Sequence, residues 1–255
     1  MLFETIELDK KQGVARVMLN RPDVRNAFNE KLIAELKTVF SELSLDPEIK
    51  VIILGGHGAS FCAGADLNWM KKMANYSYDE NMLDASALAN MLHTIYQCPK
   101  PVIAKVHGDA YAGGLGVVAV CDIVIASNQA NFCLSEAKLG LLPATISPYV
   151  IKAMGEQSSR RYFITAERFN ADQARQMGLV HELADPDQLD DVVEKMIGTL
   201  LSNGPNAVMA CKQLVKDVAG KEINDDLIKE TAKRIADIRG TKEAQVRMAN
   251  FLEKK

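Results

Sequence analysis

Apolar and polar residues alternate with period two over Phe3 to Leu8 and again over Val14 to Leu19, with Gly13 between the two runs. This alternation predicts a hairpin of half-buried strands. The spacing then changes: Leu32, Ile33, Leu36, Val39, Phe40 and Leu43 recur every three or four residues after Asn29. That predicts a helix capped by Asn29 and ending before Asp46-Pro47. Short, largely apolar runs at 51–56 (VIILGG), 101–106 (PVIAKV) and 121–127 (CDIVIAS) predict buried strands, and residues 79–97 predict an amphipathic helix between them. Strand, helix and strand in this order predict an α/β fold. After about residue 187 the strand pattern stops. Residues 187–202, 205–219, 223–238 and 241–252 read as Lys- and Glu-rich helices. The chain is thus expected to divide into a core over 1–186 and a helical region over 187–255, whose apolar stripes pack on a neighbouring subunit as well as on their own core.

Composition narrows the function classes. The 255 residues are 48% hydrophobic, and 30 Lys and Arg stand against 33 Asp and Glu, a formal net charge of −3. With no dense basic block, nucleic acid is not expected as a partner. No run approaches the roughly 18 apolar residues of a membrane span, and the first residues lack a signal-peptide pattern. A cytoplasmic protein without a membrane partner is therefore expected. The five cysteines (Cys62, Cys98, Cys121, Cys133, Cys211) form no CxxC pair, which points to a reducing compartment rather than a disulfide or zinc framework. The histidines His57, His93, His107 and His181 are too scattered for a triad or metal site, so no metal is expected.

Candidate chemistry lies in two glycine-rich turns that each follow a strand, at 55–70 (GGHGASFCAGADLNWM) and 107–122 (HGDAYAGGLGVVAVCD). Glycine lets backbone approach a ligand and present N–H groups to it, and two such turns can hold one oxyanion between two donors. Either turn alone is also consistent with tight strand-to-helix packing. A second reading is a dinucleotide fingerprint in GLGVVA (114–119), with Glu136 as the acidic residue beyond it. The six residues Gly108 to Gly113 delay the glycines too far after the strand, which argues against it.

Five segments taken together resemble the crotonase, or enoyl-CoA hydratase/isomerase, superfamily: NRPDVRNAFN (20–29), GGHGASFCAGADL (55–67), PKPVIAKVHGDAYAGGLGVVAVCD (99–122), FCLSEAKLGLLP (132–143) and TAERFNADQARQMGLV (165–180). The resemblance implies a spiral of ββα repeats with a helical C-terminal region that builds a homotrimer or hexamer. It implies an acyl-CoA thioester substrate, with CoA as part of the substrate and no separate cofactor. By motif position, the N–H groups of Ala65 and Gly113 would form an oxyanion hole and Glu136 would be the acid–base group. Substrate contacts would come from Arg25, Ala27, Ala63, Gly64, Asp66, Leu67, Trp69 and Gly116, with Phe251 and Lys254 of the terminal helix covering the adenine end.

The chain departs from the hydratase pattern at one position. Hydratases of the family carry a second glutamate directly after the AGG-x turn, where this chain has Gly116. One carboxylate resembles the arrangement of 3,2-enoyl-CoA isomerases. The segments GADLNWM, AGGLG and FCLSEAKLGLLPATISPYV instead look most like the bacterial methylglutaconyl-CoA hydratase branch, where that slot is also small. Hydration of a branched enoyl-CoA is therefore the leading expectation, isomerisation the alternative, and a non-catalytic binding module the third. Gly116 is expected to leave space beside the acyl β-carbon. Glu136 is expected to open a helix over 136–140 and to sit desolvated against Phe132, Leu134, Leu139 and Leu142; its plainer role would be to complement that helix's dipole. Asp66 is expected to fix its loop, Asp122 to be structural, and Trp69 to wall the acyl pocket or join the core. Thr145, Ser147 and Tyr149 are candidates for polar lining or for capping a helix over 147–154.

Overall fold

A computed structural model describes residues 3–253. Strands β1 (Ile6–Lys11) and β2 (Val14–Leu19) form the expected antiparallel hairpin, with Lys11 opposite Val14. Gln12 and Gly13 both have positive φ (51° and 82°), the geometry of a two-residue primed turn that matches strand twist. The turn fixes the register, so β1 begins at Ile6 rather than Phe3 and runs on through Lys10 and Lys11.

Helix α1 (Glu30–Leu45) follows, with the Asn29 side chain accepting from the Leu32 N–H as the spacing predicts. The chain then repeats one unit three times, a strand in a large sheet leading into a three-residue strand in a small one. These pairs are β3 (Val51–Gly56) and β4 (Ser60–Cys62), β5 (Val102–Val106) and β6 (Asp109–Tyr111), and β7 (Ile123–Ser127) and β8 (Asn131–Cys133). Helices α2 (Leu67–Met73) and α3 (Tyr78–Gln97) separate the first two pairs, and α4 (Gly113–Ala119) precedes the third. After α5 (Ser147–Thr165), β9 (Arg168–Asn170), α6 (Ala171–Gln176) and β10 (Glu182–Ala184) complete the two sheets. Their orders are β1-β2-β3-β5-β7-β10 and β4-β6-β8-β9. All neighbours are parallel except β1 with β2 and β8 with β9.

Because successive side chains of a strand face opposite ways, the wholly apolar runs serve two layers. Val17, Ile52, Leu54, Val102 and Ala104 face the main core with Leu36 and Phe40 of α1. Val14, Val51, Ile53, Ile103 and Ile125 face Leu189, Val193 and Ile197 of α7 (Leu189–Ser202). The first C-terminal helix is thus part of the sheet's own packing. In α8 (Pro205–Val218), α9 (Asp225–Arg239) and α10 (Lys242–Glu253), Leu227 is the one buried residue among those described. Leu214, Val215, Ile228, Ile235 and Val246 stay exposed. No helix of the described residues is long and apolar enough to cross a membrane.

Candidate active site

The first glycine turn is built against the loop that precedes α1. The Phe28 N–H donates to Gly64 O (2.7 Å) and Phe28 O accepts the Asp66 N–H (2.8 Å), a parallel bridge that brackets Ala65. The Ala65 N–H therefore points away from the bridge and has no acceptor among the described residues. Asn26, fully buried, anchors the preceding loop: its side chain accepts the Arg21 N–H (2.9 Å) and donates to His57 O (2.8 Å) and Ser60 O (2.9 Å). Asp66 holds the other side. It caps α2 through the Asn68 and Trp69 N–H groups and pairs with Arg21 at 2.8 Å. Burial pushes its carboxyl up, but the guanidinium and the two N–H groups outweigh that and hold it below the usual range. Asp66 is the loop-fixing residue expected; Arg21 and Asn26, which do as much, are visible in sequence only as polar residues inside NRPDVRN.

The second turn carries backbone strain. Ala112, between β6 and α4, lies at φ 48°, ψ −121°, a region that costs a residue with a Cβ on the order of 1–3 kcal/mol. Its N–H donates to Cys133 O (2.8 Å) and its carbonyl accepts from Leu115 and Gly116, which pins it from both sides. The next N–H, of Gly113, has no acceptor among the described residues. The two turns touch closely enough to exclude side chains. A Cβ on Gly64 (φ 93°) would lie 3.1 Å from Ala112 Cβ, one on Gly114 would lie 2.6 Å from Cys62 O, and one on Gly113 would lie 3.2 Å from the Phe28 ring. Two undonated N–H groups thus sit on loops in direct contact. GLGVVA falls inside α4 rather than in its entry turn, so it does not build a dinucleotide loop.

Glu136 follows β8, whose Cys133 pairs with Tyr111 one residue before Ala112. The expected helix 136–140 is a single 3-10 turn over Glu136–Leu139, closed by Gly140 at φ 70°. The Glu136 Oε2 is buried and has no hydrogen-bond partner among the described residues. Burial raises the carboxyl above its ordinary value, its own N–H acting weakly the other way. Leu139 and Leu142 do not supply this desolvation, being 58% and 74% exposed, whereas Phe132 and Leu134 are fully buried. An isolated 3-10 turn aims the following loop outward, which is why the expected apolar wall is only half there.

Gly116 corrects a further expectation. It leaves no open space: a Cβ there would fall far inside contact with Ile146 Cγ2 and 2.8 Å from Ile146 Cβ. Ile146 is 1% exposed and fills the place. Trp69 is in the main core, its Nε1 donating to Asp84 Oδ1 at 2.9 Å. Ala27 is buried, and its carbonyl accepts from Arg21. Ala63 is half-buried, its N–H donating to Arg25 O (3.0 Å). Arg25 (φ 52°) and Leu67 are exposed. Phe251 is exposed on α10, and Lys254 lies outside the described residues. Ser147 Oγ donates to Ala144 O (2.8 Å), Thr145 is half-buried, and Tyr149 packs on Tyr96 with ring centroids 5.2 Å apart. No side chain caps α5, which runs past Gly155 to Thr165. Asp122 is structural as expected, accepting the Val102 N–H and the Lys212 ammonium. Among the described residues no cluster of three His, Cys, Asp or Glu could hold a metal.

Residues 9–255 match the family model described as enoyl-CoA hydratase/isomerase. The chain belongs to this family of enzymes. It is similar to the short-chain-enoyl-CoA hydratase of Clostridium acetobutylicum, at 30% identity over all of this chain and 97% of the relative. A crystal structure of an enoyl-CoA hydratase from Shewanella pealeana is 39% identical with a TM-score of 0.95, covering 99% of this chain and 95% of that one. AtuE of Pseudomonas aeruginosa is 32% identical with a TM-score of 0.94, covering 99% and 98%. The α/β architecture is therefore the crotonase fold, and both glycine turns and the Glu136 turn fall within the matched region.

Proposed function

We propose that this enzyme hydrates a branched enoyl-CoA of the methylglutaconyl-CoA type. The Ala65 and Gly113 N–H groups receive the thioester oxygen as it gains charge, a contribution of roughly 2.7–4 kcal/mol per donor in comparable sites. Water adds its oxygen to the β-carbon, the Glu136 carboxylic acid gives its proton to the α-carbon, and the resulting carboxylate takes the proton that the water releases. The observation that carries the reading is the buried Glu136 Oε2, without a partner among the described residues, on the turn that follows β8, the strand paired with the one leading into the Gly113 turn. A carboxyl raised by burial is protonated closer to neutrality and so better matched to this task. The branched, dicarboxylic substrate is supported by the segments GADLNWM, AGGLG and FCLSEAKLGLLPATISPYV around the site.

The second reading, 3,2-enoyl-CoA isomerisation by Glu136 alone, is favoured by Ile146, which fills the place where a second carboxylate would start. A panel of acyl-CoA esters separates the two. Hydration predicts loss of the conjugated enoyl absorbance with methylglutaconyl-CoA and poor turnover of crotonyl-CoA; a 3-enoyl-CoA that gains conjugation with no water added supports the isomerase instead. The assembly is a homotrimer or hexamer in the cytoplasm, with Arg25, Phe251 and Lys254 meeting the CoA moiety, Phe251 and Lys254 reaching it from a neighbouring subunit. The exposed apolar residues of α8 to α10 support that assembly.

A further inference from the structure

At the end of α4 remote from Gly113, a cavity of about 550 Å³ opens between the last turn of α3, the start of α5 and α8. Three lysines reach into it. Lys152 Nζ donates to Tyr96 Oη (2.9 Å) and stands 5.6 Å from that ring's centroid. Lys216 Nζ donates to Tyr96 O (2.5 Å) and stands 4.6 Å from the same ring. Lys212 Nζ donates to Asp122 Oδ2 (2.5 Å) and to Lys100 O (2.9 Å).

Among the described residues Asp122 is the one carboxylate lining the cavity, and Lys212 already neutralises it. Among the described residues Lys152 and Lys216 take part in no ion pair. The remaining titratable neighbours add no negative charge. His181 accepts the Val124 N–H on Nδ1, and burial keeps the Cys121 thiol protonated. Two surplus ammonium groups are therefore held around one half-buried tyrosine, close enough that each lysine's charge opposes the other's. An ammonium carries three donors, and each of these two makes one hydrogen bond among the described residues. Gathering like charges in a recess costs free energy, which an anion between them offsets. Behind the charges the accessible lining is apolar, with Ala119, Ala153 and Val215, and the volume lies in the range of small-molecule sites.

We infer that this cavity is a second ligand site, separate from the acyl-CoA site, for an aliphatic carboxylate whose head group bridges Lys152 and Lys216 and whose chain lies along Ala119, Ala153 and Val215. Titration calorimetry of the full-length protein with octanoate tests it, with butyryl-CoA present throughout to occupy the acyl-CoA site. Saturable octanoate binding is expected, with the Kd raised at least tenfold in the Lys152→Met, Lys216→Met double variant. Lys152→Met alone, a change at an exposed residue outside the α8 contact, is expected to raise it about threefold with an unchanged melting temperature. Inorganic phosphate and octan-1-ol, which carry the charge or the chain alone, are expected to bind far more weakly. No saturable octanoate binding, an affinity indifferent to both variants, or phosphate binding as tight as octanoate would overturn the assignment.

Discussion

Gly116→Ala adds one methyl group at the most crowded point next to the site. The change has two opposed terms. In the interior of α4 alanine is favoured over glycine by about 1 kcal/mol. Against this, the new Cβ lies 2.8 Å from Ile146 Cβ and closer still to its Cγ2. Ile146 is 1% exposed and β-branched, so it has neither free volume nor an easy second rotamer. Overpacking of this kind costs about 1–3 kcal/mol, and a contact this short with a locked neighbour belongs at the upper end. The net expectation is a loss of about 2 kcal/mol, or roughly 4–8 °C in Tm for a chain of this size. Urea or thermal denaturation at one fixed protein concentration measures it, because subunit association would otherwise shift the transition. The sharper readout is a double-mutant cycle with Ile146→Ala. That change alone should cost about 2–5 kcal/mol through the cavity it opens. In the double variant the added methyl partly fills the cavity, so the total should fall short of the sum by at least about 1 kcal/mol. A Gly116→Ala protein as stable as wild type, or strict additivity in the cycle, would refute the packing argument. The same geometry applies to Gly116→Glu: without a smaller residue at 146, that variant should lose stability.

Glu136→Gln keeps size and removes the proton, so kcat should fall at least about 100-fold with acyl-CoA binding retained, as steady-state kinetics and calorimetry can check; activity within about twofold of wild type would remove Glu136 from the chemistry. Because burial raises the folded-state pKa of Glu136, the stability tied to its neutral form is complete below the ordinary glutamate value and is lost as pH rises through the folded value; the Gln variant should lose that pH dependence in denaturation curves recorded from pH 4 to 8. Asp66→Ala removes the α2 cap and leaves Arg21 without its carboxylate, which should cost about 3 kcal/mol in a urea titration, the sum of a typical cap and much of a part-buried pair. Deleting residues 250–255 should raise the Kd of acyl-CoA esters with kcat little changed, and sedimentation should give a trimer or hexamer for wild type; a monomer with unchanged affinity after truncation would contradict the assembly.

The elements that were legible in the sequence are those whose periodicity spans several residues. Leu32 to Leu43 repeats long enough to specify α1, and the Asn29 cap was visible beside it. The runs at 51–56, 101–106 and 121–127 could only be buried strands. The strands β4, β6, β8 and β9 were not legible, because three residues carry no period; parallel pairing with one another defines them. The two turns could be located from their glycines, but the strain at Ala112 could not, since alanine is the wrong residue for that φ and the hydrogen bonds to Cys133, Leu115 and Gly116 join it to residues whose proximity the sequence does not announce. Ile146 was missed for a similar reason: its contact with Gly116 joins segments 30 residues apart by number, and an isoleucine in a helix-forming stretch gives no sign of what it covers.

The strain at Ala112 and the plug at Ile146 act on opposite ends of one short helix. Gly113 opens α4, so its N–H has no partner within the helix, and the backbone of Ala112 at φ 48°, ψ −121° sets the direction in which that donor points. Three residues on, Gly116 accepts Ile146 without a gap, so α4 has little room to shift toward α5 and relieve the strain. The strained turn therefore persists because the packing behind it is full, and its donor stays available to a ligand. Enlarging Gly116 pushes on this helix from behind, so a variant that tolerates the substitution by moving α4 should keep its fold yet lose turnover through the displaced Gly113 N–H. That outcome separates a positioning effect from loss of the Glu136 proton, because it would weaken acyl-CoA binding and catalysis together, whereas Glu136→Gln should leave binding intact.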